Sequence, residues 1–166
     1  MEGSDILQTL AEVAIALTGF TGIVAALRSR TDKSLTGYGL VRFRILLLAS
    51  LAAVTFALLP FLFHHLGASP SATWSTCSAA VAAFMVPIAI HDTRAFRTYS
   101  DVMPELDRRV APLVALAGSA LLIFQVANVF VLNAFGPYLV APMWFLGFSA
   151  FQFCRLLLAV EHGEGQ

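Results

Sequence analysis

VAPLVALAGSALLIFQVANVFVLNAFGPYLVAPMWFLGFSAFQFC, residues 110–154, contains no Lys, Arg, Asp or Glu. A soluble domain draws roughly a quarter of its residues from those types. No water-facing surface can be built from such a stretch. Residues 110–160 as one straight helix would measure roughly 75 Å, against a hydrocarbon core of about 30 Å. Gly136-Pro137 divides the run near its middle. Proline lacks an N–H and has a fixed φ, so it opens a helix rather than continuing one. Two spans are therefore expected, 110–135 and 138–160, joined by a tight antiparallel turn.

Working outward, three more apolar runs are long enough to cross a bilayer: 6–27, 45–66 and 72–90. Gly67-Ala68-Ser69-Pro70-Ser71 separates the last two. The expected fold is all-α, a polytopic membrane helix bundle with five transmembrane helices in a single membrane domain covering 1–166. The whole-chain numbers agree. Of 166 residues, 58% are hydrophobic and 12% charged, and the mean hydropathy is +0.80. These values exclude a soluble enzyme, a disordered tail and a nucleic-acid-binding domain, so no nucleic-acid partner is expected. The net charge of +0 names no electrostatic partner.

The N-terminus does not read as a cleaved signal peptide. Glu2 and Asp5 stand where a positive n-region would be, and Arg28 and Arg30 follow the apolar run. It is read as a retained first span. No lipidation motif is visible.

Orientation follows from the cations. Arg28, Arg30, Lys33, Arg42 and Arg44 fall between spans one and two. Arg94, Arg97, Arg108 and Arg109 fall between spans three and four, and Arg155 lies near the end of span five. The other side holds none. Basic connectors stay in the cytoplasm, so the N-terminus is expected outside, the C-terminus inside, and loops 28–44 and 91–109 cytoplasmic. Arg42, Arg44, Arg108, Arg109 and Arg155 are the expected inner-interface anchors, with Arg155 snorkelling to the headgroups. Residues 92–109 balance their acids and bases around Pro104, a mixed-charge segment on which a soluble partner can dock. The localisation expected is the bacterial inner (cytoplasmic) membrane.

Cys77 and Cys154 belong near opposite faces. Their heights differ by roughly 10–15 Å, too far for a disulfide, which needs Cα atoms within about 7 Å. Trp74, Tyr138 and Trp144 are expected in an outer aromatic belt.

On a helical wheel, span one places Ala14, Thr18, Gly22 and Ala26 on one ridge, opposite large residues such as Val13, Leu17 and Phe20. Small residues at a spacing of four let membrane helices approach closely. That ridge serves packing within the protein or a homo-oligomer seam. Ser75, Ala79 and Ala83 form a similar row in span three.

Glu12 is the carboxylate inside a span, about 9 Å from its outer end. An acid there is costly and belongs near a polar partner or a cavity. Span four supplies Gln125 and Asn128, three apart on one face. Asn128 falls at nearly the depth of Glu12, so a polar intramembrane site of Glu12, Asn128 and Gln125 is expected. It reads either as a proton- or cation-binding point or as a hydrogen-bonded packing node.

His64, His65, His91 and His162 are scattered, so no metal or haem is expected, and no other cofactor. Lys33 is the only lysine and lies in a loop, so no span can form a retinal Schiff base. No phosphate-binding glycine loop, HExxH or GxSxG occurs. Three functional classes stay open. The leading one is an oligomeric ion channel or small-solute/ion transport component using the intramembrane carboxylate. The second is a structural or interaction subunit that anchors or recruits a protein partner through its cytoplasmic loops. The third, a membrane-embedded enzyme, lacks any nucleophile, base and orienting group at one depth, so enzymatic activity is not expected.

Overall fold

The computed structural model describes residues 3–29, 38–99 and 105–161. They form five helices: α1 (Ser4–Ser29), α2 (Tyr38–His65), α3 (Pro70–Tyr99), α4 (Glu105–Ala127, closed by a π-turn at Asn128–Leu132) and α5 (Phe135–Glu161). Four stretches are long and apolar enough to cross a membrane: Ser4–Ile23, Phe43–His65, Pro70–His91 and Arg108–Leu132. α5 has the length as well, with 27 residues.

The helices outrun the apolar spans. α1 continues to Ser29, α2 starts at Tyr38, α3 continues to Tyr99 and α4 starts at Glu105. Much of the expected loops 28–44 and 91–109 is thus helical. Hydropathy marks where oil ends, whereas a helix continues into water wherever its residues tolerate it. Arg30, Lys33, Pro104 and His162 lie outside the described residues.

The turn between α2 and α3 is built as expected. Gly67 takes a left-handed φ of +79°. Its N–H donates to the His64 carbonyl (3.1 Å) and that of Ala68 to the Phe63 carbonyl (3.1 Å), a Schellman closure. Ser69 then caps α3, accepting from the Ala72 N–H at 3.3 Å, with Pro70 as the first helical residue. The second break differs from expectation. It falls at Asn133-Ala134, and Gly136 and Pro137 already belong to the first turn of α5. Asn133 adopts φ 49°, ψ 39°, a conformation asparagine tolerates better than most residues. Its N–H donates to the Asn128 carbonyl at 3.0 Å, five residues back.

By contacts the chain divides into two compact units. One comprises Gly3 and Leu59–Ala141, the other Ser4–Leu58 and residues from Pro142 onward. In the first, α3 packs on α4 and its π-turn. The two helices run antiparallel, since Ser78 near the start of α3 meets Asn128 near the end of α4. Gly3 (φ +68°) sits against the Phe135 ring, where a Cβ would overlap it. In the second unit, Phe56 of α2 stacks on Phe145 of α5 with centroids 5.8 Å apart.

The surface is apolar. Phe130 is 78% exposed, Val131 73% and Ile123 70%. Such a continuous apolar exterior is intolerable in water and ordinary in lipid. Serine and threonine hydroxyls on these helices are satisfied locally. Thr18, Thr21 and Ser50 donate to carbonyls four residues back at 2.8, 2.8 and 3.0 Å, which keeps them neutral in an apolar medium.

Candidate functional site

Asn128 is fully buried, and its amide is spent completely. Nδ2 donates to Ser78 Oγ at 2.7 Å and to the Ala134 carbonyl at 3.2 Å, while Oδ1 accepts from the Ala134 N–H at 3.0 Å. The side chain pairs with both backbone groups of Ala134 as another strand of backbone would. It thereby closes the α4–α5 connection where the π-turn leaves the helical ladder open. Beside it, Ser75 of α3 is hydrogen-bonded to Asn133.

Gln125, one turn earlier and also fully buried, donates from Nε2 to the Pro137 carbonyl at 2.8 Å. That carbonyl can only accept, which fixes the amide's orientation. Gln125 Oε1 is left buried with no hydrogen-bond partner among the described residues. Tyr138 completes the cluster. It is buried against Trp74 (centroids 5.7 Å), and its hydroxyl is hydrogen-bonded to the Cys77 thiol. Trp74 also contacts Phe135 at 5.1 Å.

The structure therefore brings Gln125 and Asn128 into one polar seam with Ser75, Ser78, Cys77, Asn133 and Tyr138. Sequence reading missed the last five. The one available signal was Ser75, which the row Ser75, Ala79 and Ala83 marks only for its small size. A correction also follows for the aromatic belt. Trp74 is 3% and Tyr138 0% exposed, so they fill a core rather than face headgroups, because both rings find Phe135 or Cys77 nearby. Trp144 is half-buried and stacks on Phe148 at 6.2 Å.

Glu12 belongs to the other unit. It is exposed on α1 and accepts from Gln8 Nε2, one turn earlier, at 3.0 Å. Of the expected ridge, Ala14 is buried, Thr18 half-buried and Gly22 exposed, and the Ala26 side chain lies outside the described residues. In the same unit an open apolar groove of about 410 Å³ runs between Leu10, Val13 and Leu17 of α1 and Met143, Leu146 and Gly147 of α5. Its lining carries no ionisable side chain.

Among the expected anchors, Arg108 and Arg109 are exposed at the start of α4 and both pair with Glu105. These two guanidinium groups hold the Glu105 carboxyl below its usual range. Arg44 is exposed, and Arg155 lies 5.3 Å from the Phe151 ring centroid. The Arg42 side chain lies outside the described residues. Cys77 is buried and Cys154 exposed, both as free thiols. Among the described residues no group of three His, Cys, Asp or Glu is placed to hold a metal ion.

These features define an all-α chain whose helices are compatible with a membrane protein. No family model, curated protein or solved structure matches it.

Proposed function

We propose that the protein is a five-span integral membrane protein of the bacterial inner membrane, N-terminus outside, that works as an oligomeric channel or small-ion transport component with Glu12 as its ion- or proton-binding group. The observation that carries this reading is Glu12 itself. It stands inside the Ser4–Ile23 span, exposed, with a neutral amide as its hydrogen-bond partner. A carboxylate held in that setting by no cation among the described residues is a binding group for a proton or a cation. Gln125 and Asn128 form the rigid polar frame that joins α4 to α5 in this reading, and no catalytic role is assigned to any residue.

Flux across vesicles containing the purified chain tests the proposal. Proton or monovalent-cation flux is expected, falling by about tenfold or more in Glu12→Gln. Absence of flux for every small ion tried would overturn it. Orientation is tested separately by C-terminal fusions: a fluorescent protein that needs the cytoplasm should be active there, and alkaline phosphatase should not.

A second reading has its own support. α3 and α4 extend past the apolar spans and carry Arg94, Arg97, Arg108 and Arg109 on exposed turns. Such polar helix ends suit docking of a soluble partner, with the spans as anchor.

A further inference from the structure

The groove between α1 and α5 leads toward a cation. Its lining includes Leu10, Leu17, Met143, Gly147 and Ala150, and none of it can ionise. A Cβ added at Gly147 would meet nothing within 4 Å, so the protein leaves that space open. Arg155 lies five residues beyond Ala150 on α5. It is half-buried, with its guanidinium 5.3 Å from the Phe151 ring centroid. From Arg155 back to Met143 is twelve residues, a rise of roughly 18 Å. Half of a hydrocarbon core of about 30 Å is about 15 Å, so groove and cation together match one acyl chain beneath one headgroup. A second cation belongs to the same end of this unit. Phe56 of α2 stacks on Phe145 of α5. Arg44 lies twelve residues before Phe56 and Arg155 ten after Phe145, roughly 18 and 15 Å along their helices. Consecutive spans alternate in direction, so α2 and α5 run opposite ways and the two arginines fall at nearly one height. Arg44 is exposed. Asp5 and Glu12 lie toward the other end of α1, so the described charges at the arginine end of this unit are positive.

We infer that this face holds one anionic phospholipid, its acyl chain in the α1–α5 groove and its phosphate on Arg155, with Arg44 adding to the positive field. Lipid tails are as apolar as leucine, so a groove without polar lining accepts a chain at no desolvation cost. A guanidinium presents its N–H donors in a fork that fits phosphate oxygens. The Phe151 ring holds that guanidinium beside α5. Basic positions between membrane helices at the cytoplasmic side select anionic headgroups. The groove alone would admit any lipid; the arginines make the choice. The inference rests on the five-span part of the reading above, from which the alternation of directions comes, but it does not require that ions move.

The test uses the full chain in detergent, titrated with phosphatidylglycerol or with phosphatidylcholine, and native mass spectrometry to count the lipids each chain retains. One phosphatidylglycerol should be retained in preference to phosphatidylcholine. Arg155→Gln should weaken its binding by about fivefold and leave phosphatidylcholine unchanged. Gly147→Leu, which grows into open space, should keep the helical content and lower retention of both lipids alike, because it fills the groove and spares the arginines. Arg109→Gln, which removes an arginine paired with Glu105 in the other unit, should change nothing. Equal retention of the two lipids, an Arg109→Gln loss as large as that of Arg155→Gln, or unchanged retention in Gly147→Leu would overturn the inference. So would a dimer that forms as lipid is lost, since it would give the groove to a second copy. Selective retention without flux in vesicles would leave the lipid site standing and remove the transport reading; flux without selective retention would do the reverse.

Discussion

Replacing Asn128 by alanine is expected to destabilise the folded chain by about 2–4 kcal/mol. The side chain makes three hydrogen bonds, to Ser78 Oγ and to both backbone groups of Ala134. Truncation leaves the Ala134 N–H and carbonyl without that partner at a break in the helical ladder. Water is scarce at a buried position, and an unmade hydrogen bond of a buried group costs about 1–3 kcal/mol. Asn128→Asp should fare no better, because a carboxyl cannot supply both donors that Nδ2 supplies. Gln125→Leu is the informative contrast. Half of that amide already lacks a partner, so exchanging it for a leucine of similar size gives up one bond and relieves one orphan, for a net change of about 1 kcal/mol or less. Unfolding by sodium dodecyl sulfate titration in mixed micelles measures all three. An Asn128→Ala loss no larger than that of Gln125→Leu would refute the clamp.

Tyr138→Ala should cost about 3–5 kcal/mol, the range for removing a large buried aromatic side chain. Tyr138 is fully buried, its ring lies 5.7 Å from Trp74, and Trp74 in turn contacts Phe135. Deleting the ring opens a cavity next to Trp74. Tyr138→Phe separates the contributions. It keeps the ring and removes the hydroxyl that is hydrogen-bonded to Cys77, for a loss of about 1 kcal/mol. The same titration checks both variants, and Trp74 fluorescence should shift in Tyr138→Ala but not in Tyr138→Phe. Equal effects of the two would mean that the hydroxyl, not the packing, matters most.

These variants also show where sequence reading reached its limit. Gln125 and Asn128 stood out because amides are rare in an uncharged run. What they bind did not, because their partners are backbone groups of Ala134 and Pro137 and the hydroxyl of Ser78, fifty residues away. Glu12 stood out for the same reason as the amides. Its exposure did not, since a wheel shows which residues share a face and not which face is covered. The ridge Ala14, Thr18, Gly22 was legible as a row of small residues. That Ala14 is buried while Gly22 is exposed follows from how neighbours cross α1, and no local spacing encodes that. The α4–α5 break was legible to within a few residues. Proline marked the start of the next helix, but the left-handed Asn133 and the π-turn set its end.

Apolar run lengths alone settled that this chain is all-α with helices long enough to cross a membrane, because in lipid every backbone amide must pair within its own segment. Where those helices begin and end beyond the oil, which polar side chains meet, and that Trp74 and Tyr138 fill a core were decided by tertiary packing. Burial and hydrogen-bond pairing depend on distances between residues far apart in the chain, and those distances exist only once the helices are side by side.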